Sequence, residues 1–189
     1  MTHVGIDFGA KKAGTTVICA FRDSSWYFSQ CPRGTDADAF LEKEINVLSP
    51  GKIFIDAPLS LPQVYSESNI RPEADYHYRE CDRLSGAMSP MFLGGLTARA
   101  IRLRSIWEQN RMEVFETYPK LMARELETED YKKDINKFCE SVHRYLNTEL
   151  PALSNWHQAD ACLAWLSGLR YIRGNAHAIG NKAEGLIIV

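Results

Sequence analysis

An acid set inside an apolar run is the feature that most restricts this chain. Val4-Gly5-Ile6-Asp7-Phe8 reads as a short buried strand, and Asp7 lies within it rather than at a solvated end. A carboxylate in such a place must meet a cation, a hydrogen-bond donor or water, so its partners have to come from elsewhere in the chain. Gly9 and Gly14 bracket Lys11 and Lys12 in a turn, and the β-branched run from Thr15 to Ile18 reads as the returning strand of a hairpin. Asp7 alone has two readings: a turn cap that accepts backbone N–H bonds, or a carboxylate held on a strand edge for a metal ion or phosphate.

Global properties bound the search for those partners. At 189 residues the chain can bury a sizeable core as one domain, and a single domain over 1–189 is expected. No apolar run approaches the ~20 residues of a membrane span. The opening MTHVGID lacks the basic-then-apolar pattern of a signal peptide, so the expected location is cytoplasmic and no membrane partner is expected. Cys19, Cys31, Cys81, Cys139 and Cys162 form an odd set without C-x-x-C spacing, which points to reduced, structural cysteines. A net charge of −2 gives no global pull toward nucleic acid, so any such contact must come from a local patch.

Along the chain, Trp26 to Gln30 reads as a third antiparallel strand, and Thr35 or Asp36 as the cap of a helix running to Leu48. Lys52-Ile53-Phe54-Ile55-Asp56 is a second apolar run ending in an acid, and the prolines at 58 and 62 stop it there. Gln63 to Arg71 reads as a polar loop, Asp75 to Leu84 as a polar helix stopped at Gly86, and Leu96 to Asn110 as a helix carrying Arg99, Arg102 and Arg104. Met112 to Thr117 is a strand by alternation, with Met112, Val114 and Glu116 on one face, and Pro119 starts a helix. Further helices are expected from Lys120 to Glu127 and from Tyr131 to Leu146. The helix opening at Trp156 is almost wholly apolar except for His157 and Asp160, which share a face. Leu186 to Val189 reads as a last short strand or an extended flap.

Four acids thus fall in a fixed order: Asp7, Asp56 and Glu116 at strand ends and Asp160 on a late helix. Three antiparallel strands, a helix, then alternating strands and helices is the order of the ribonuclease-H-like fold, which predicts an α/β architecture with a mixed five-stranded sheet flanked by helices. The segments Gly5-Ile6-Asp7-Phe8-Gly9, Ile55-Asp56-Ala57-Pro58-Leu59-Ser60-Leu61-Pro62, Arg79-Glu80-Cys81-Asp82-Arg83, Phe115-Glu116-Thr117-Tyr118-Pro119-Lys120 and Ala159-Asp160-Ala161 resemble, in order, the motifs of the DUF429 family of predicted ribonuclease-H-related nucleases. Tyr118 stands where that family usually has histidine. The helix around Asp160 also resembles the late helix of Holliday-junction resolvases, some of which carry a second polar ligand one turn earlier, where this chain has His157.

The resemblance implies a phosphodiester hydrolase acting on nucleic acid or a nucleotide. Such chemistry needs neutralised phosphate oxygens, an activated water and a stabilised leaving group, which two divalent cations ~4 Å apart supply. Oxygen ligands suit Mg²⁺ or Mn²⁺. Asp7 then bridges both ions, Asp56 or Glu116 holds one and Asp160 the other, while His157 relays a proton or positions product. Lys11, Lys12, Arg99, Arg102 and Arg104 are the candidates for holding a nucleic-acid backbone, and Arg79, Asp82 and Arg83 for a supporting ion-pair network. Three other classes stay open: a non-catalytic binding module of the same fold, a hydrolase of a small phosphorylated molecule, and a phosphotransferase of the related actin-like fold, which needs two such domains.

Overall fold

Residues 2–66 and 73–189 are described by the computed structural model. Its centre is a sheet in which β1 (His3–Asp7) lies between an antiparallel β2 (Val17–Arg22) and a parallel β4 (Lys52–Asp56). β3 (Ser25–Gln30) pairs antiparallel with β2, and β5 (Glu113–Thr117) parallel with β4. A hairpin of β6 (Ala178–Asn181) and β7 (Gly185–Ile188) extends the sheet, with β7 parallel to β5, giving the order β3-β2-β1-β4-β5-β7-β6. The first five strands have the order and directions of a ribonuclease-H-like fold. The sheet has seven strands rather than the expected five, because the apolar tail folds back and pairs with β5 through Glu116–Ile187 and Thr117–Ile188.

Strand alternation sorts the core onto two faces. Val4, Ile6, Ile18, Ala20, Ile53, Ile55 and Val114 pack under α1 (Ala37–Leu48) and α4 (Gly95–Gln109). On the other face lie α5 (Pro119–Glu125), α6 (Ile135–Leu146) and α7 (Trp156–Ile172). α1 starts on Asp36, whose carboxylate accepts the N–H groups of Asp38 and Ala39. Between β4 and α4 come a 3-10 turn (Gln63–Tyr65), α2 (Glu80–Ser85) and the four-residue α3 (Pro90–Leu93). The rest of the expected 63–71 loop lies outside the described residues.

Two helix starts differ from expectation, and both differences bear on the site. The helix expected from Asp75 begins only at Glu80, since the Asp75 carboxylate accepts the N–H groups of His77 and Tyr78 in a local turn. α6 begins at Ile135 rather than Tyr131, because Asp134 caps it through the N–H groups of Asn136 and Lys137. Tyr131 and Lys132 are left in an irregular segment ahead of the helix.

Candidate active site

Asp7 and Asp56 are register partners at the carboxyl ends of parallel β1 and β4. Parallel register partners project to the same face, here the α7 face, and two carboxylates therefore leave the sheet side by side. The β1–β2 turn does not use Asp7: Gly9 donates its N–H to the Thr16 hydroxyl at 3.0 Å, and Ala13 donates to the Ala10 carbonyl. Asp56 has no hydrogen-bond partner among the described residues. Burial, then the charges of Asp7, Asp160 and Glu116, push the Asp56 carboxyl well above its ordinary range.

The third carboxylate comes from α7, which crosses β1 with almost no gap. A Cβ on Gly5 would sit 2.2 Å from the Trp165 nitrogen and 2.3 Å from the Ala161 carbonyl oxygen, and one on Gly168 would meet the Phe54 and His3 rings. These two glycines let helix backbone and sheet touch. Asn155 caps the helix through the N–H groups of His157 and Gln158 and so fixes where its first turn begins.

From that turn the His157 Nδ1 reaches Asp7 Oδ2 at 2.7 Å, and Asp160 faces the same pair. The Asp7–His157 pair moves both groups upward for different reasons. Burial raises Asp7 and outweighs the opposing bond from His157, whereas that same bond raises His157 and outweighs its partial burial.

Asp160 is satisfied by residues that sequence reasoning missed. The Tyr131 hydroxyl donates to Oδ1 at 2.7 Å, and the Lys132 ammonium to Oδ2 at 2.6 Å. The sequence signal that exposes them is Asp134: once it is read as a helix cap, Tyr131 and Lys132 fall in the preceding loop and are free to turn toward α7.

Glu116, the fourth acid, is on the other face of the sheet. Phe115 stacks on Phe54 and packs on Tyr171 of α7, and Thr117 bonds Ser167 of α7, so alternation turns Glu116 away. Both its oxygens are taken by the Arg79 guanidinium at 2.7 Å, and Oε2 also accepts the Leu59 N–H. Arg79 is fully buried and bonds Asp82 and the Ser60 hydroxyl as well, which uses all its side-chain donors. Burial works against the Arg79 charge, but the bonds to Glu116 and Asp82 win and hold its pKa above the ordinary arginine value. Arg83 lies apart from this network, paired with Asp75 at the surface.

The basic candidates are mostly paired with acids. Arg99 forks onto Asp38, donates to the Gly9 carbonyl and lies over the Phe8 ring, so it braces the β1–β2 turn. Arg102 meets Glu42 at 3.5 Å, Arg104 meets Glu108 at 2.7 Å, and Lys11 meets Asp36 at 3.0 Å. Lys12 has no ion-pair partner among the described residues. Beside Asp56 opens a cleft of about 230 Å³ walled by Phe8, Met88, Leu93, Leu96 and Tyr118. The Tyr118 hydroxyl is pushed up, first by burial and then by the Asp56 charge.

Among the described residues, no group of three or more His, Cys, Asp or Glu side chains is spaced to hold a metal ion. The donor set nevertheless fits one hard cation at Asp7 and Asp56, because among the described residues Asp56 is an unpartnered carboxylate next to a second one with an oxygen to spare. Asp160 is already matched to Lys132, and Glu116 to Arg79.

No helix among the described residues is long and apolar enough to cross a membrane. No protein-family model and no curated protein matches this chain at a significant level. Among solved structures, that of RuvC from Thermus thermophilus matches over 100% of both chains at 10% sequence identity, with a TM-score of 0.46. Likeness of that degree carries no argument about activity, and the fold assignment rests on strand order and direction.

Proposed function

We propose that this chain is a metal-dependent phosphodiester hydrolase of the nuclease type, related to the DUF429 family, with Asp7 and Asp56 as its metal carboxylates. The observation that carries the proposal is the side-by-side emergence of Asp7 and Asp56 from neighbouring parallel strands, opposite Asp160, with Asp56 lacking any partner among the described residues. A bound Mg²⁺ or Mn²⁺ would neutralise a nonbridging phosphate oxygen and acidify a water. His157 keeps Asp7 oriented through Nδ1 and, half-exposed, carries a second ring nitrogen that can take or give a proton at the solvent side. Glu116 acts at a distance: with Arg79 it fixes the backbone at Leu59, just beyond Asp56.

A nucleotide or other small phosphorylated substrate is the second reading. It is favoured by the apolar cleft beside Asp56, which suits one base, and by the pairing of Arg99, Arg102 and Arg104 with local acids, which leaves less free positive charge for a long backbone. In this version Lys12 supplies the free cation near the β1–β2 turn.

The test is hydrolysis with Mn²⁺ of single-stranded, duplex, hybrid and branched nucleic acids beside mononucleotides and dinucleotides. Cleavage should require the metal and vanish in Asp7→Asn; cleavage that survives this change refutes the assignment.

A further inference from the structure

We propose that the Lys132 ammonium replaces the second cation of the carboxylate centre, so that the site takes one divalent ion rather than two. The inference rests on the reading of Asp7 and Asp56 as metal carboxylates and adds the number of ions and the identity of the group that fills the other place.

Lys132 is held at the centre by more than a passing surface contact. Its Nζ is 2.6 Å from Asp160 Oδ2, while the neighbouring Tyr131 hydroxyl takes Oδ1. Both Asp160 oxygens are therefore directed at one short segment of chain. The ammonium also lies 5.2 Å from the Tyr131 ring centroid and 5.5 Å from that of Trp156, whose residue opens α7. Tyr131 and Trp156 pack on each other and on the buried Phe138, which makes the cradle part of the core. The backbone at Lys132 has φ of 62°, a left-handed conformation unfavourable for a residue with a Cβ. That conformation is held in place by the Asp134 cap on one side and the Tyr131 bond on the other.

Charge balance leads to the same count. The carboxylates of Asp7, Asp56 and Asp160 are matched in formal charge by one ammonium and one divalent cation. A second divalent ion leaves the centre positive even if it displaces Lys132 from Asp160, and more so if it does not. Only one of the three ammonium N–H donors is spent on Asp160, and the side chain is 45% exposed, so the others can reach a phosphate oxygen of a bound substrate.

Mn²⁺ binding to the purified full chain, followed by calorimetry and electron paramagnetic resonance, tests this without any substrate. The wild type should bind one ion per chain, Lys132→Met should bind two, and Lys132→Arg, which retains the charge, should still bind one; a thermal melt of each variant reports folding. Two ions on the wild type, or the same single ion on the wild type and Lys132→Met, overturns the inference and leaves the assignment of Asp7 and Asp56 standing. An ion that binds only after Lys132→Met makes Lys132 a block rather than a substitute and also overturns it. No ion on any form removes the metal centre itself, and the inference with it.

Discussion

Gly5 lies so close beneath α7 that a Cβ there would sit 2.2 Å from the backbone nitrogen of Trp165. The obstructing atoms are backbone, so no side-chain rotation relieves the clash and the helix must lift from the sheet. Gly5→Ala should destabilise the protein by about 3 kcal/mol or more, at the upper end of overpacking costs. Denaturant titration measures the loss. Because the same helix carries His157 and Asp160, the variant should also lose metal binding in whatever fraction remains folded; a midpoint equal to wild type would mean that this close approach is not needed.

Asp56 should cost the metal-free protein stability. Its folded pKa is raised, so folding favours the protonated acid. The cost is absent below the ordinary carboxylate pKa, builds as pH rises through it, and is complete above the raised folded value. The melting temperature without metal should therefore fall as pH rises from about 4. Asp56→Asn should raise it at neutral pH by about 2–4 °C, corresponding to roughly 1 kcal/mol in a chain of this size, while abolishing metal-dependent hydrolysis. A lower melting temperature in this variant would contradict the account.

His157 runs the opposite way. Its pKa is raised by the bond to Asp7, so the pair contributes stability fully below the unfolded histidine value of 6.5 and loses it as pH climbs through the higher folded value. Imidazole nuclear magnetic resonance should find His157 titrating above 6.5 in the wild type and lower in Asp7→Asn. Identical titrations in the two proteins would show that the contact does not govern the ring.

Arg79 separates buried from exposed pairing. Arg79→Met leaves Glu116 and Asp82 buried without their cation and should cost about 3–5 kcal/mol. Arg79→Lys should recover little, since an ammonium cannot reproduce the fork onto both carboxylates. Arg102→Ala removes an exposed 3.5 Å pair and should change stability by less than about 0.5 kcal/mol. Chemical denaturation of the three variants in parallel is the measurement.

Much of the architecture was legible because strand period and helix caps are local signals. The apolar runs at Val4 and Ile53 gave the central parallel pair, Thr35 or Asp36 bracketed the start of α1, where the cap is Asp36, and the acids in both runs pointed to one edge. The tail is ambiguous in the sequence because Leu186 to Val189 has no alternation, and its pairing with β6 and β5 is what makes it a strand. Glu116 was grouped with Asp7 on its position at a strand's end, although its alternation with Val114 already put it on the α4 side. The partner of Glu116, Arg79, is 37 residues away and invisible to any local pattern. Lys132 escapes because the expected helix starts at Tyr131, upstream of the Asp134 cap, which hides a loop inside it.

The 150 residues that separate Asp7 from His157 mean that the two meet only when the last helix closes on the first strand. Before α7 docks, a chain that has already paired β1 with β4 carries two adjacent anions in water; docking buries them, answers Asp7 through His157 and sets the Asp160 charge beside both. Burial raises both carboxyls, so without metal mild acid, which discharges them, should ease the closing of the last helix onto the sheet, and rising pH should loosen it.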